Sequence, residues 1–179
     1  MRLLLHCSRR ISQTEPGKQY LAYVGRPTDK SPRLSHTISA SLHPITVEQF
    51  KENSPLKRVL CVEDDRDTCE VLRFVMTDYN FSTVHSVEDA LDLVGNEKID
   101  LWVLDNWLPD GSGIEICELI RNSGDASPII FTSAVGQRQD IERALEAGAT
   151  HYIVKPYEPE FLLKTVKDLL EPTTLILES

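Results

Sequence analysis

The sequence predicts an α/β fold with a doubly wound, five-stranded parallel sheet and helices on both faces. Between residues 57 and 171, short apolar runs alternate five times with stretches of helical periodicity. Strict alternation with short connections is typical of parallel strands joined by right-handed crossovers. The run Leu101–Leu104 is apolar at every position, as expected for a central strand that is buried on both faces.

Local signals place each element along the chain. The first helix carries apolar residues at positions i, i+1, i+4 and i+5 within Val71–Met76, which is one helical face. The second begins at Ser86, with Asp89 in the capping-box position. The fourth ends at Gly148, and Pro172 closes the last. The predicted strands are residues 58–62, 81–85, 99–105, 128–132 and 151–154, and the predicted helices are residues 67–79, 86–94, 112–121, 140–147 and 159–170.

Charge and composition divide the chain into three segments. Residues 1–55 hold eight Lys and Arg against four Asp and Glu, and are predicted to be a basic, mostly disordered extension with one short helix at 46–52. Residues 56–171 form the folded domain, and residues 172–179 are a C-terminal tail. From residue 56 onward, eleven basic residues face twenty-four acidic ones, which argues against nucleic-acid binding by the folded domain.

The cysteines and the N-terminal residues bear on localisation. The four cysteines show neither CxxC nor metal-ligand spacing, which is typical of reduced cytoplasmic thiols. Only three consecutive apolar residues occur near the start, too few for a signal-peptide core, and no stretch predicts a membrane span. We therefore expect a cytoplasmic protein that does not bind membranes.

Polar residues follow four of the predicted strands at the point where each strand ends. They are the acidic run 63–65, Asp105, Thr132 and Lys155. A lone Asp in such a place is more often a helix cap, but the ends of parallel strands meet at one edge of the sheet. Converging carboxylates need a cation, and hard oxygen ligands favour Mg²⁺. A lysine and a hydroxyl beside them predict phosphoryl transfer to a carboxylate nucleophile.

Four motifs in this order resemble the receiver domain of two-component response regulators. The resemblance covers residues 57 to about 171 and implies a flavodoxin-like sheet of order 2-1-3-4-5. It also implies a phosphorylation-dependent signalling switch that catalyses only its own phosphorylation and dephosphorylation. The motifs are VLCVEDDRDT at 59–68, VLDNWLPDGSG at 103–113, IIFTSA at 129–134 and AGATHYIVKPY at 147–157.

The resemblance assigns the acidic residues. Asp105 is the expected phospho-accepting aspartate. Glu63 and Asp64 match the acidic pair that holds Mg²⁺, and the backbone carbonyl of Trp107 completes the protein ligands. Asp65 is the alternative second acid, although its simpler role is to cap the following helix.

The remaining matched residues belong to the switch. Thr132 matches the switch hydroxyl, Tyr152 the switch aromatic and Lys155 the phosphate-pairing lysine, with a cis peptide bond expected before Pro156. On phosphorylation, Thr132 is expected to move toward the phosphoryl group and Tyr152 to turn inward behind it. The output face is then the fourth helix (140–147), the fifth strand and the fifth helix.

The expected phosphoryl donor is a sensor histidine kinase or a phosphotransfer protein, and the output protein is unidentified. Only nine residues follow Leu170, so we expect a stand-alone receiver that acts through a partner or relays its phosphoryl group. A phosphorylation-dependent dimer through the output face stays open. Trp107, with Ala134 two positions after Thr132, predicts slow loss of the phosphoryl group because a bulky ring excludes water.

Three other functions were weighed. A phosphohydrolase of the haloacid-dehalogenase type needs a second Asp where this chain has Trp107. A scaffold that is never phosphorylated would not need the complete residue set. The basic extension could instead dock to nucleic acid or to an acidic partner.

Overall fold

The computed structural model describes the backbone of residues 8–12, 20–24 and 55–171, and the side chains of residues 55–171. Within these ranges the chain forms seven strands and five helices. The strands are β1 (Ser8–Ser12), β2 (Tyr20–Val24), β3 (Arg58–Val62), β4 (Asn80–Val84), β5 (Leu101–Asp105), β6 (Ile129–Ser133) and β7 (His151–Val154). The helices are α1 (Arg66–Val75), α2 (Val87–Leu91), α3 (Gly113–Asn122), α4 (Arg138–Ala147) and α5 (Pro159–Leu170).

All strands belong to one sheet of order β1-β2-β7-β6-β5-β3-β4. The five strands from β3 to β7 pair in parallel, and their order along the sheet is the predicted 2-1-3-4-5. The predicted fold class is therefore confirmed for this part of the chain. None of the helices in the described ranges is long and apolar enough to cross a membrane.

Two predicted helices are shorter in the structure. Helix α1 ends at Val75, where the Met76 N–H closes the last turn on the Leu72 carbonyl, although the prediction extended to residue 79. Helix α2 has only five residues and is followed by turns. These turns include Gly95 at φ +75°, a left-handed conformation that ends helical geometry.

An antiparallel pair of strands, β1 and β2, extends the sheet beyond β7. Five residue pairs join β1 to β2, and three join β2 to β7. The expectation of mostly disordered chain over residues 1–55 is corrected for these ten residues. The run Tyr20–Val24 keeps no period beyond five residues and belongs to the predicted disordered extension, but the open edge of β7 offers unpaired backbone groups to it. The predicted helix at 46–52 and the tail at 172–179 lie outside the described residues.

The sheet separates two apolar clusters. Trp102, Phe131 and Tyr152 belong to the cluster that includes α3 and α4, and Val103 and Ile130 belong to the cluster that includes α1 and α5. Side chains alternate along a strand, so positions two residues further on share a face. At the carboxyl ends of the strands, the face that packs against α1 and α5 therefore continues into four polar residues, namely Glu63, Asp105, Thr132 and Lys155.

Candidate functional site

Two buried carboxylates share one lysine at this edge of the sheet. Glu63 is 2% exposed and Asp105 is 6% exposed. The ammonium Nζ of Lys155 lies 2.8 Å from Glu63 Oε2 and 2.6 Å from Asp105 Oδ2. Hydrogen-bonded ion pairing of this kind is what allows carboxylates to be buried.

The electrostatics of the site follow from burial and from this shared lysine. Burial raises the pKa of Glu63 to about 7, against the opposing effect of the hydrogen bond from Lys155. Burial by itself would lower the pKa of Lys155, but the hydrogen bonds to Asp105 and Glu63 outweigh it and raise that pKa above its ordinary value. Lys155 is therefore a permanent positive charge at neutral pH.

The acidic cluster has the composition of a divalent-cation site. Glu63, Asp64 and Asp105 each offer a carboxylate oxygen, and these atoms all lie within 4.8 Å of one another. Asp64 is exposed, so the cluster opens to solvent. When all three carboxylates are ionised, they and the Lys155 ammonium leave two negative charges, and hard oxygen donors in this number suit Mg²⁺. The residues present therefore fit the ion.

Two features position the Asp105 carboxylate at the end of β5. Its Oδ1 accepts the backbone N–H of Trp107 at 3.1 Å, while Oδ2 faces Lys155. Gly113, the first residue of α3, packs against the backbone of Asp105. A Cβ at Gly113 would lie 2.4 Å from the Asp105 carbonyl oxygen, so only glycine fits there.

Thr132 and Tyr152 lie on the two strands beyond Asp105. Thr132 is 1% exposed and is the register partner of Asp105, and its carbonyl accepts the Asn106 N–H at 3.2 Å. Tyr152 is also 1% exposed, and its hydroxyl donates to the Val135 carbonyl at 2.7 Å. Its ring stacks on Phe131 with the centroids 6.2 Å apart. The inward position that we expect Tyr152 to reach on phosphorylation is therefore already its position here.

Asp65 lies outside the acidic cluster and caps the N-terminus of α1. It is the N-cap residue of that helix, and its carboxylate accepts the Asp67 N–H at 3.0 Å and the Thr68 hydroxyl at 2.8 Å. The Thr68 hydrogen bond and then the Asp67 N–H lower the pKa of Asp65. This is the simpler of the two roles considered from the sequence.

Sequence reasoning missed two side-chain contacts to the backbone, one at the end of β3 and one at the start of α2. His85 Nδ1 donates to the Glu63 carbonyl at 2.8 Å, which ties the end of β3 to the residue that follows β4. Asp110, in the loop after β5, accepts the backbone N–H groups of Val87 and Glu88 at 2.8 and 3.0 Å. The sequence offered one signal for the His85 contact, which is that His85 follows a strand next to β3. It offered none for the Asp110 contact, because Asp110 and Val87 are brought together only by the fold.

The chain was compared with known protein families once this geometry was established. The family model of the response regulator receiver domain matches residues 59–167. The chain belongs to this family. Its receiver domain has the fold and the strand-end acids described above, and the match separates it from the haloacid-dehalogenase-like phosphohydrolases.

Individual relatives support the assignment. The receiver is 35% identical over 118 residues to the response regulator MprA of Mycobacterium avium, in a match that covers 65% of this chain and 52% of MprA. The chain therefore spans about half the length of this relative. The crystal structure of DrrB, described as a Thermotoga maritima OmpR/PhoB homologue, matches with a TM-score of 0.60 and 32% identity over 65% of this chain and 53% of DrrB. A CheY-like receiver from Methanospirillum hungatei matches with a TM-score of 0.58 and 30% identity, over 64% of this chain and 94% of that receiver.

Family membership establishes the general activity. Phosphorylation-dependent signalling is the general function of receiver domains, which are switches rather than classical enzymes. They bind Mg²⁺ at an acidic pocket and interact with histidine kinases or phosphotransfer proteins. The acidic cluster and the cis peptide bond between Lys155 and Pro156 agree with what the resemblance implies.

Proposed function

We propose that the chain is a phosphorylation-dependent switch that accepts a phosphoryl group on Asp105 from a histidine kinase or a phosphotransfer protein. The observation that carries this proposal is the pairing of a buried Asp105 carboxylate with Lys155, next to two further acids. A carboxylate oxygen of Asp105 forms the new P–O bond as the bond to the donor breaks. The donor leaves with the electron pair of the broken bond.

Residues around Asp105 position the reaction. Glu63, Asp64, Asp105 and the Trp107 backbone carbonyl would hold Mg²⁺, which neutralises charge on the phosphoryl oxygens when bound. Lys155 already contacts Asp105 Oδ2 and would pair with the transferred group as a point charge. The Trp107 N–H on Oδ1 keeps the carboxylate in one orientation.

The switch itself would use Thr132 and Tyr152. The hydroxyl of Thr132, on the strand beside Asp105, can donate to a new phosphoryl oxygen. The buried Tyr152 lies on β7, the strand beside β6, and would connect the site to the face formed by α4, β7 and α5. An output protein of unidentified class would bind this face. The three described cysteines, Cys61, Cys69 and Cys117, are free and buried, which supports a reducing compartment such as the cytoplasm.

Intact-mass measurement after incubation with Mg²⁺ and acetyl phosphate tests the proposal. The wild-type chain should gain the mass of one phosphoryl group, and Asp105→Asn should gain none. Omission of Mg²⁺ should reduce the adduct strongly, because the carboxylates then repel the incoming phosphate.

Asp110→Asn is the matched control, since Asp110 is a carboxylate of the same loop that contacts the N-terminus of α2 instead. It should form the adduct as the wild type does. An adduct that persists in Asp105→Asn and disappears in Asp110→Asn would refute the assignment of Asp105.

A further inference from the structure

The outer edge of β7 has unpaired backbone groups in the five-stranded receiver sheet. Successive N–H groups of a strand point to opposite edges. Lys155, just after β7, donates its N–H to the Ser133 carbonyl at the end of β6 at 2.8 Å. In the β6–β7 register, the N–H groups of His151 and Ile153 therefore also point toward β6, and the N–H of Tyr152 points toward the outer edge. Such an edge pairs readily with another strand.

Strand β2 of the same chain occupies this edge. Ala22 is the register partner of Ile153, Tyr23 of Tyr152 and Val24 of His151, in antiparallel orientation. The outward-pointing N–H of Tyr152 is thus opposite Tyr23 of β2. Strand β1 pairs with β2 over five residues and completes a two-stranded ribbon, which we call the N-terminal hairpin (β1 and β2).

The connection between β2 and β3 is long enough for this pairing to occur within one chain. β2 and β3 are four strand spacings apart, roughly 19 Å at about 4.8 Å per spacing. The 33 residues between Val24 and Arg58 can extend over several times that distance. No second copy of the chain is needed.

The hairpin lies directly beside the switch aromatic. Tyr23 is the register partner of Tyr152, so the β2 backbone runs about 4.8 Å from the backbone of Tyr152. The Tyr152 side chain is buried: its hydroxyl donates to the Val135 carbonyl and its ring stacks on Phe131. At an open edge, a tyrosine of the last strand could swing outward over the free side of the sheet. With β2 paired, another strand fills that space.

We propose that the N-terminal hairpin is an intramolecular ligand of the β7 edge, and that its pairing holds Tyr152 in the buried position. The hairpin and a phosphoryl group on Asp105 then favour the same state of the switch strand. By linkage, each strengthens the other. This last consequence rests on the proposed function, whereas the pairing and its effect on Tyr152 do not.

Amide hydrogen exchange followed by NMR on the full chain tests the pairing. Tyr23→Pro removes the N–H of β2 that is opposite Tyr152, and Tyr23→Val keeps that N–H in a residue of high strand propensity. The proline variant should exchange the Tyr152 amide at least about tenfold faster than the wild type. The valine variant should match the wild type, and the His151 and Ile153 amides, which point toward β6, should stay protected in all three.

Nitration of tyrosines by tetranitromethane, mapped by peptide mass spectrometry, tests the effect on Tyr152. Tyr23→Pro should increase the modification of Tyr152 severalfold and leave unchanged that of Tyr79, which is 5% exposed and belongs to the opposite cluster. Unchanged exchange at Tyr152, or unchanged Tyr152 nitration in a variant with faster exchange, would overturn the proposal. So would protection found only in a dimer by size-exclusion chromatography with light scattering. None of these readouts requires phosphorylation, so they stand apart from the test of Asp105.

Discussion

Lys155 is the residue on which the charge balance of the site depends. It compensates two carboxylates that are 2% and 6% exposed, and it is partly buried itself. Removal of one partner from such a group leaves an uncompensated buried charge, which is more costly than the pair is stabilising. Lys155 therefore has two roles: it stabilises the buried carboxylates of the folded chain, and it supplies a positive charge at the site. The alternation of side chains along β3, β5 and β7 predicts that Glu63, Asp105 and Lys155 lie close together. It does not predict that both acids pair with the same ammonium.

We propose that the Trp107 ring limits the access of water to Asp105. Trp107 is 67% exposed and lines a cavity of about 230 Å³ with Asn106, Asp140 and Arg143, while its N–H contacts Asp105. Trp107→Asn replaces the ring with a smaller polar side chain that can hydrogen-bond to water. We expect the phosphoryl lifetime to fall by about tenfold, which corresponds to roughly 1.4 kcal/mol in the barrier to hydrolysis.

The decay of the intact-mass adduct after removal of the donor measures this lifetime. Trp107→Phe is the matched control, because it keeps an apolar ring and should retain a lifetime close to that of the wild type. Equal lifetimes in the asparagine variant and the wild type would rule out a water-excluding role for Trp107.

Among the elements, α2 shows how a short helix is held by a distant loop. It has five residues, and its first N–H groups are bonded to the Asp110 carboxylate in addition to the Ser86 cap. Ser86 and its bond from the Asp89 N–H were predictable from the local pattern S-x-x-D. The contribution of Asp110 was not, because 23 residues separate it from Val87.

Stability at acidic pH should report on Asp110. The hydrogen bonds from Val87 and then Glu88 lower the pKa of its carboxyl below the ordinary value. A carboxylate with a lowered pKa in the folded state contributes stability that is present above the unfolded-state pKa, near 4, and is lost as the pH falls through the folded-state pKa. Asp110→Asn should therefore lower the Tm by a few degrees at pH 7 and by progressively less as the pH falls below about 4.

Thermal unfolding followed by circular dichroism across this pH range gives the comparison. Asp92→Asn changes a carboxylate at the other end of α2 and should leave the Tm near the wild-type value. A difference between Asp110→Asn and the wild type that is constant down to pH 2 would contradict the assigned role.

At the scale of the whole molecule, we expect the receiver core to fold without the hairpin. Both apolar clusters among the described side chains consist of residues between Val59 and Leu170. A chain of residues 56–179 should therefore unfold cooperatively and should form the Mg²⁺-dependent adduct at saturating donor. Differential scanning calorimetry and intact mass, with the full chain in parallel, are the measurements. Loss of the cooperative transition would show that residues 1–55 are required for folding.

The βα alternation, the parallel sheet and the polar residues at its carboxyl edge could be predicted from the amino-acid sequence alone. These are consequences of local periodicity, because a two-residue repeat and strand-end positions bring Glu63, Asp105, Thr132 and Lys155 to one face. Three features became visible only in the folded chain: β2 pairs with the edge of β7, Asp110 caps α2, and Tyr152 lies inward. Each of these depends on backbone or polar groups left unpaired by a remote element, and a residue pattern carries no information about where such groups meet.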